Sequence, residues 1–523
     1  MTLRVHVDTE FLAPLGTSLT RLVKGEVPSR VASGDSTLWG DQAQPEASIR
    51  LGWVDDPALM RPLVDDVEEL RRAFAAEGVT RFVLCGMGGS SLAPEVMASW
   101  AGVELDILDS THPDQVASAL AGDLGNTAVI VSSKSGTTVE TATARAAFAQ
   151  AFSDAGIDPA TRILIVTDPD SPLHTEALAH GHRVFVADPL VGGRFSALTA
   201  FGLVPATLAG VDTAALLADA HAVWELLHED SAENPAVKLA VALSTPQRDI
   251  AVLTPAEDLP GLGDWIEQLV AESTGKSGLG VLPVVVSSAS SPEAHNPFDD
   301  VLVVDLSGTR ADSSHVSITS TLGGSFLLWE YATAFAGVLL GLNPFDQPDV
   351  ESAKTAARSL LESMPRRADA SEVSNEHTLW APGEQRSLAE AWLALRDALG
   401  HSGYLALQVY GNRLEMSHWT SVRDELSAHL KRPVTLGFGP RFLHSTGQFH
   451  KGGTPDGVFF QIEIEARSDR DIPGYPYSFQ TLIDSQSWGD RQVLIERGRP
   501  VLTLRVDSEE SAHSLVSGLW GSA

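Results

Sequence analysis

The sequence predicts an α/β protein built on parallel sheets with helices on both faces, and three observations carry the prediction. Short runs of β-branched and aliphatic residues recur from Thr80 onward, separated by stretches of helical length. Two of these runs pass directly into loops rich in glycine or hydroxyl residues and then into helical sequence. The chain of 523 residues is too long for one hydrophobic core, so two or three domains are expected.

Residues 1–75 hold a polar arm and an acidic helical segment over 63–74, with Asp65, Asp66, Glu68 and Glu69 on its wet side. Nothing in this stretch suggests chemistry, and it reads as a solvated helix packed on the first domain. Residues 76–232 form the first α/β domain, with strands predicted at 82–84, 128–131, 163–166 and 184–186. Residues 233–385 form a second, with strands at 249–253, 281–286 and 301–305 and an amphipathic helix over 265–270. The most apolar stretch, 326–342, is interrupted by Glu330 and Gly337 and is short for a membrane span, which makes it a buried core or subunit-interface helix. Polar residues 368–386 read as a linker. A C-terminal α/β segment, 386–523, follows, with strands at 404–409 and 458–462 and a helix over 421–430 between them.

Charge narrows the partners. Asp and Glu number 68 against 36 Lys and Arg, a net charge of −32 that repels nucleic acid and anionic lipid, so neither is expected as a partner. A site for an anion must then be locally basic, and cations inside motifs become informative. The single cysteine, Cys85, excludes an intrachain disulfide and suits a reducing cytoplasm. The first residues lack the apolar stretch of a signal peptide.

The chemistry concentrates in a few segments. Ser133-Lys134-Ser135-Gly136-Thr137-Thr138 stands between the apolar run Ala128-Val129-Ile130-Val131 and an alanine-rich helix. Such a loop aims unpaired amides, hydroxyls and one ammonium at the positive end of a helix dipole, a site for a phosphate or another compact dianion. The spacing is not that of a P-loop, so a phosphorylated metabolite fits better than ATP. Gly86-Met87-Gly88-Gly89-Ser90-Ser91 lacks the third glycine of a dinucleotide fingerprint and by itself reads as a tight strand-to-helix turn. Gly192-Gly193-Arg194 offers close backbone approach beside a planar cation. Glu272 and Lys276 stand where the amphipathic helix stops at Gly275, so its last turn can line a cleft. Asn343-Pro344-Phe345-Asp346-Gln347 leads toward Lys354, and His444 and His450 share a glycine-rich loop with no carboxylate or cysteine near enough in sequence to make a metal site.

In this order and spacing the segments resemble glucose-6-phosphate isomerase, and more closely the version that in some bacteria is fused to or encoded beside transaldolase. The resemblance implies two SIS-type three-layer domains plus the C-terminal extension. It implies reversible aldose–ketose isomerisation of glucose 6-phosphate and fructose 6-phosphate through a cis-enediolate, in glycolysis and gluconeogenesis, without metal or cofactor. Ser133, Lys134, Ser135 and Thr138 would hold the phosphate, and Gly88, Gly89 and Ser90 would line the sugar. Glu272 would shuttle the proton between C1 and C2, and Arg194 would stabilise the enediolate. Lys354 and Gln347 would close the site, and a histidine would open the ring. His450 is chosen over His444 because it follows Gly447-Gln448 much as the family histidine follows its Gly-Gln. The histidine loop here follows the lysine segment, whereas in the familiar enzyme it precedes it. In the family this histidine can come from a neighbouring subunit, which implies a homodimer with shared sites. The alternatives are an enzyme that also isomerises mannose 6-phosphate, and a non-catalytic SIS sugar-phosphate sensor.

Overall fold

The computed structural model describes residues 3–295, 297–309, 314–349, 370–374, 376–381 and 387–521. Three sheets organise them. The chain opens with β1 (Arg4–Val7), whose side chains alternate exposed and buried. It then supplies β2 (Arg81–Gly86), β3 (Asp106–Leu108), β4 (Thr127–Ser132), β5 (Ile163–Thr167) and β6 (Arg183–Val186). These five make an all-parallel sheet in the order β3-β2-β4-β5-β6.

The period-2 alternation of its strands explains why both faces are covered. Val83, Cys85, Val129, Val131, Ile163 and Ile165 pack with Phe148 and Phe152, which lie on the helix Val139–Asp154. Phe82, Leu84, Ala128, Ile130, Leu164 and Val166 face the other way, against Phe201, Val204 and Leu208 of the helix Ala200–Ala209. Each large aliphatic side chain buried this way contributes about 1.5–3 kcal/mol.

The second sheet is β7 (Ile250–Thr254), β8 (Leu282–Val285), β9 (Val301–Asp305) and β10 (Val316–Thr319), in the order β1-β10-β9-β7-β8. Its members run parallel except for β1, which pairs antiparallel with β10 from Arg4 opposite Thr319 to Val7 opposite Val316. The first residues are therefore an edge strand of the second sheet, which corrects the reading of a polar arm on the first domain. The acidic segment is the helix Arg61–Ala76, and it buries Val64, Val67 and Phe74. The apolar stretch is the helix Leu322–Leu340, long and apolar enough to cross a membrane but 94% buried over its most apolar window. Burial pushes the Glu330 carboxyl in its middle well above the usual carboxylate range.

The third sheet is β11 (Glu372–Val373), β12 (His377–Trp380), β13 (Tyr404–Tyr410), β14 (Val434–Phe438), β15 (Gly457–Ile464) and β16 (Val501–Val506), in the order β11-β12-β16-β15-β13-β14. β11 and β12 lie in the stretch read as a linker, where they pair antiparallel as a short hairpin on the edge of β16. This sheet is fastened to both others. Ile472, Phe479 and Leu482 join the core of the first sheet, and Tyr404, Phe449 and Phe459 join a core shared with Ile250 and Val252 of the second.

Candidate active site

β2 and β4 are neighbours in register, Gly86 opposite Ser132, so the loops that leave their carboxyl ends lie side by side. This is where ligands of parallel sheets bind. Gly88 has φ +53°, and a Cβ there would stand 2.6 Å from Gln268 Nε2. At Gly89 a Cβ would stand 2.0 Å from the Gly193 carbonyl oxygen, so the two glycine-rich loops are in backbone contact. In the hydroxyl loop, the Ser133 amide donates to Val166 O at 3.0 Å and its hydroxyl to Thr138 Oγ1 at 3.2 Å. The Ser135 and Thr137 hydroxyls are 3.0 Å apart. Thr138 precedes the helix Val139–Asp154 and makes no side-chain cap bond to its amides. Lys134 Nζ donates to Asp168 Oδ2 at 2.5 Å. Burial moves both partners toward neutrality, the ammonium down and the carboxyl up, with the pairing opposing the shift on each side.

The helix Leu262–Thr274 turns Trp265, Ile266, Leu269 and Val270 into the core and presents Gln268 and Glu272, one turn apart, to the loops. Gln268 Nε2 donates to Glu272 Oε2 at 3.2 Å and to His444 O at 2.8 Å. Arg194 Nη1 lies 3.8 Å from Glu272 Oε2, and both side chains are buried. The Arg194 guanidinium also donates to Ser273 Oγ (2.8 Å), Gln347 Oε1 (3.3 Å), Pro344 O (2.6 Å) and Asp346 O (2.9 Å). Lys276 lies just past the helix end. Its Nζ donates to Asn343 O (2.6 Å), Asp346 O (2.7 Å) and Asp346 Oδ1 (2.6 Å), and burial, then the Arg194 charge, pushes the ammonium down to about 8. Two buried cations thus hold the backbone of the segment that carries Gln347.

These groups enclose a cavity of about 780 Å³. Gly88, Gly89, Ser90, Ser133, Lys134, Ser135, Thr138, Arg194, Glu272 and Gln347 all line it, although the sequence scatters them over more than 250 positions. Lys354 lies outside the described residues. His450 does not line the cavity, which corrects the choice between the two histidines. The short helix Gly447–Gly452 turns its ring inward, against Tyr404, whose hydroxyl is 3.0 Å from Nδ1. Burial, reinforced by Lys451 and Arg499, pushes that imidazole well below the usual histidine range. His444 is the histidine at the cavity. Its Nε2 is 3.0 Å from Glu140 Oε1, which also accepts from Gln486 Nε2 at 2.7 Å. His444 reaches the cavity from the same chain.

The sequence reading passed over several lining residues. Glu46 and Arg50 come from the stretch in which no chemistry was expected, and Tyr475, Tyr477 and Gln486 come from the C-terminal part. Glu140 sits inside the hydroxyl-loop motif, where it resembles an ordinary acid in a helix's first turn. Among the described residues no group of three His, Cys, Asp or Glu side chains is placed to hold a metal ion.

The chain matches the family model described as phosphoglucose isomerase over residues 57–285. It is 32% identical over 374 residues to a probable glucose-6-phosphate isomerase of Natronomonas pharaonis, covering 60% of this chain and 87% of the relative. It is 30% identical over 428 residues to a glucose-6-phosphate isomerase of Rubrobacter xylanophilus, covering 67% and 96%. The fold is shared with the crystal structure of a glucose-6-phosphate isomerase from Chlamydia trachomatis, at a TM-score of 0.53 and 21% identity over 68% of this chain and 87% of that one. The chain belongs to the phosphoglucose isomerase family.

Proposed function

We propose the following division of labour for the cavity, whose reaction is the reversible isomerisation of glucose 6-phosphate and fructose 6-phosphate. The Ser133, Ser135 and Thr138 hydroxyls, the amides opening the helix Val139–Asp154 and the Lys134 ammonium receive the phosphoryl group. Gly88, Gly89 and Ser90 form the wall along the sugar. His444, oriented by Glu140, carries the proton that opens the ring. Glu272 then removes the proton from C2 of the aldose, or C1 of the ketose, and returns it to the neighbouring carbon. The negative charge that grows on the oxygens of the cis-enediolate lies in the field of Arg194, which is fixed in advance by its four hydrogen-bond acceptors. Gln347, anchored to Arg194, closes the site together with Lys354.

One observation carries this reading. A buried carboxylate, a buried guanidinium and a histidine held by its own carboxylate converge on a cavity that ends at a hydroxyl-lined helix start. We further propose that the chain is of the transaldolase-linked type, since its histidine segment follows the 343–354 segment. The proposed compartment is the cytoplasm, and the proposed assembly is a homodimer.

The test is isomerisation of fructose 6-phosphate in deuterium oxide, with product formation coupled to glucose-6-phosphate dehydrogenase. Proton transfer through Glu272 places solvent deuterium at C2 of the product in part of the turnovers. Turnover with no deuterium incorporated under any condition points to a hydride shift and refutes the assignment. Binding without turnover marks a sensor, and mannose 6-phosphate among the products marks the broader isomerase.

A further inference from the structure

Among the described residues, three Arg and Lys side chains line the cavity, Arg50, Lys134 and Arg194, against four carboxyl groups, Glu46, Glu140, Asp168 and Glu272. A phosphate ester brings nearly two further negative charges into this field. Two of the cations are already engaged by the protein. Lys134 is paired with Asp168 at 2.5 Å, and every nitrogen of Arg194 donates to a protein acceptor.

Arg50 differs. Its Nε donates to Glu46 Oε1 at 2.8 Å, and Nη1 donates to Pro189 O at 3.1 Å and Ile49 O at 3.3 Å. Nη2 has no hydrogen-bond acceptor among the described residues. The side chain is 25% exposed and its Cδ passes 3.8 Å from where a Cβ on Gly192 would be. Its charge acts on Lys134 and Asp168 as well as on Arg194, so it lies within electrostatic range of all three. A guanidinium braced at Nε and Nη1, on a side chain that lines the cavity, is preorganised to grip an oxyanion.

We propose that Arg50 is a substrate-binding residue whose Nη2 donates to the phosphoryl group held by the Ser133 loop, with Glu46 and the Pro189 carbonyl as the brace that aims it. The proposal rests on the isomerase reading of the cavity, and it adds a cation from the N-terminal stretch to the phosphate grip. Glu46 acts through Arg50 and is a positioning residue.

The test compares wild type, Arg50→Gln, Arg50→Lys and Glu46→Gln. Inorganic phosphate serves both as a competitive inhibitor and as a calorimetric ligand. Arg50→Gln is expected to raise KM for fructose 6-phosphate and the phosphate dissociation constant together, by about 10-fold or more, with kcat changed by no more than roughly 3-fold. Arg50→Lys keeps the charge but cannot span brace and ligand, so both constants rise by roughly 3-fold or more, and Glu46→Gln moves them the same way by a smaller factor. Two results overturn the proposal. One is unchanged phosphate affinity in Arg50→Gln and Arg50→Lys. The other is a loss of kcat in these variants with phosphate affinity intact, which moves Arg50 to the carbonyl end. Phosphate calorimetry needs no turnover, so a wild type that binds phosphate and does not isomerise defeats the isomerase reading alone.

Discussion

The substitution that bears hardest on the mechanism is Glu272→Gln. The amide keeps the shape of the side chain and one acceptor oxygen, and it removes only the ability to take a proton. General base catalysis is worth about 10²–10⁴ in rate, or about 3–5 kcal/mol of barrier, and that is the expected loss in kcat. The structural cost is smaller. A charge pair at the observed 3.8 Å has a gross attraction of about 4 kcal/mol at an effective dielectric of about 20. Losing it is offset because the buried carboxylate no longer needs desolvation, and Arg194 retains Ser273 Oγ, Gln347 Oε1, Pro344 O and Asp346 O as acceptors. A net destabilisation of about 1–2 kcal/mol follows. The hydroxyl loop is untouched, so KM stays within roughly 3-fold of wild type. The dehydrogenase-coupled assay measures kcat, and phosphate calorimetry verifies that the variant is folded. A folded variant that keeps more than about a tenth of wild-type kcat refutes Glu272 as the base, because that residue would then supply less than about 1.4 kcal/mol.

Two further predictions follow from the histidines and the buried lysine. His444→Ala should slow turnover of the cyclic sugars by about 10-fold or more while sparing an open-chain substrate, whereas His450→Ala should cost about 2–3 kcal/mol of stability, read by denaturant titration, and leave kcat of the folded enzyme near wild type; the reverse pattern restores His450 to the site. His450 is held neutral, so the unfolded chain binds more protons below about pH 6.5, and part of the acid lability should disappear in His450→Phe. Lys276 is held down at about 8, against 10.5 for an unperturbed lysine. Between these values the unfolded chain carries the extra proton, so this group's contribution to stability rises with pH, while activity falls as the ammonium relaxes its hold on the carbonyls of Asn343 and Asp346. Lys276→Met should remove both trends, and an alkaline limb of the rate profile that survives in this variant excludes Lys276 as its source.

What the sequence disclosed and what it concealed divide along physical lines. β2, β4, β5, β7 and β9 were legible because strands buried on both faces are unbroken apolar runs, and the loops at their carboxyl ends announce themselves by glycine and hydroxyl density. β1 was missed although Arg-Val-His-Val alternates as an edge strand should, because four residues beside a polar stretch carry little weight. Arg50 had no local signal at all. Glu46 four residues before it reads as an ordinary helical pair, and the other half of its brace is a carbonyl 139 positions away, so only the folded chain shows how the guanidinium is held. The histidine error has a geometric cause. The Gly-Gln neighbours matched, but the helix Gly447–Gly452 points His450 at Tyr404 of β13, while the turn Arg441–His444 leaves His444 at the cavity.

The third sheet brings the turn that carries His444 to the loops of the first sheet. A histidine on a separate unit helps only if its position is held to a fraction of an ångström against the loops of the first sheet. The turn that carries His444 begins at Arg441, which is paired with Asp109 and with Glu95 Oε2, the latter at 2.7 Å. Arg413 closes the same cluster, 3.0 Å from Asp109 Oδ1 and 3.0 Å from Glu95 Oε1. Burial works to raise the Asp109 carboxyl, and the Arg413 and Arg441 guanidiniums outweigh it and hold it below the usual carboxylate range. Asp109 is the residue after β3, so this ionic cluster ties the histidine turn to the edge of the sheet whose loops are proposed to grip the phosphate. On the opposite side, Gln268 fixes the His444 carbonyl to the helix that bears Glu272. His444 is therefore located with respect to both the first sheet and Glu272 by bonds within one chain.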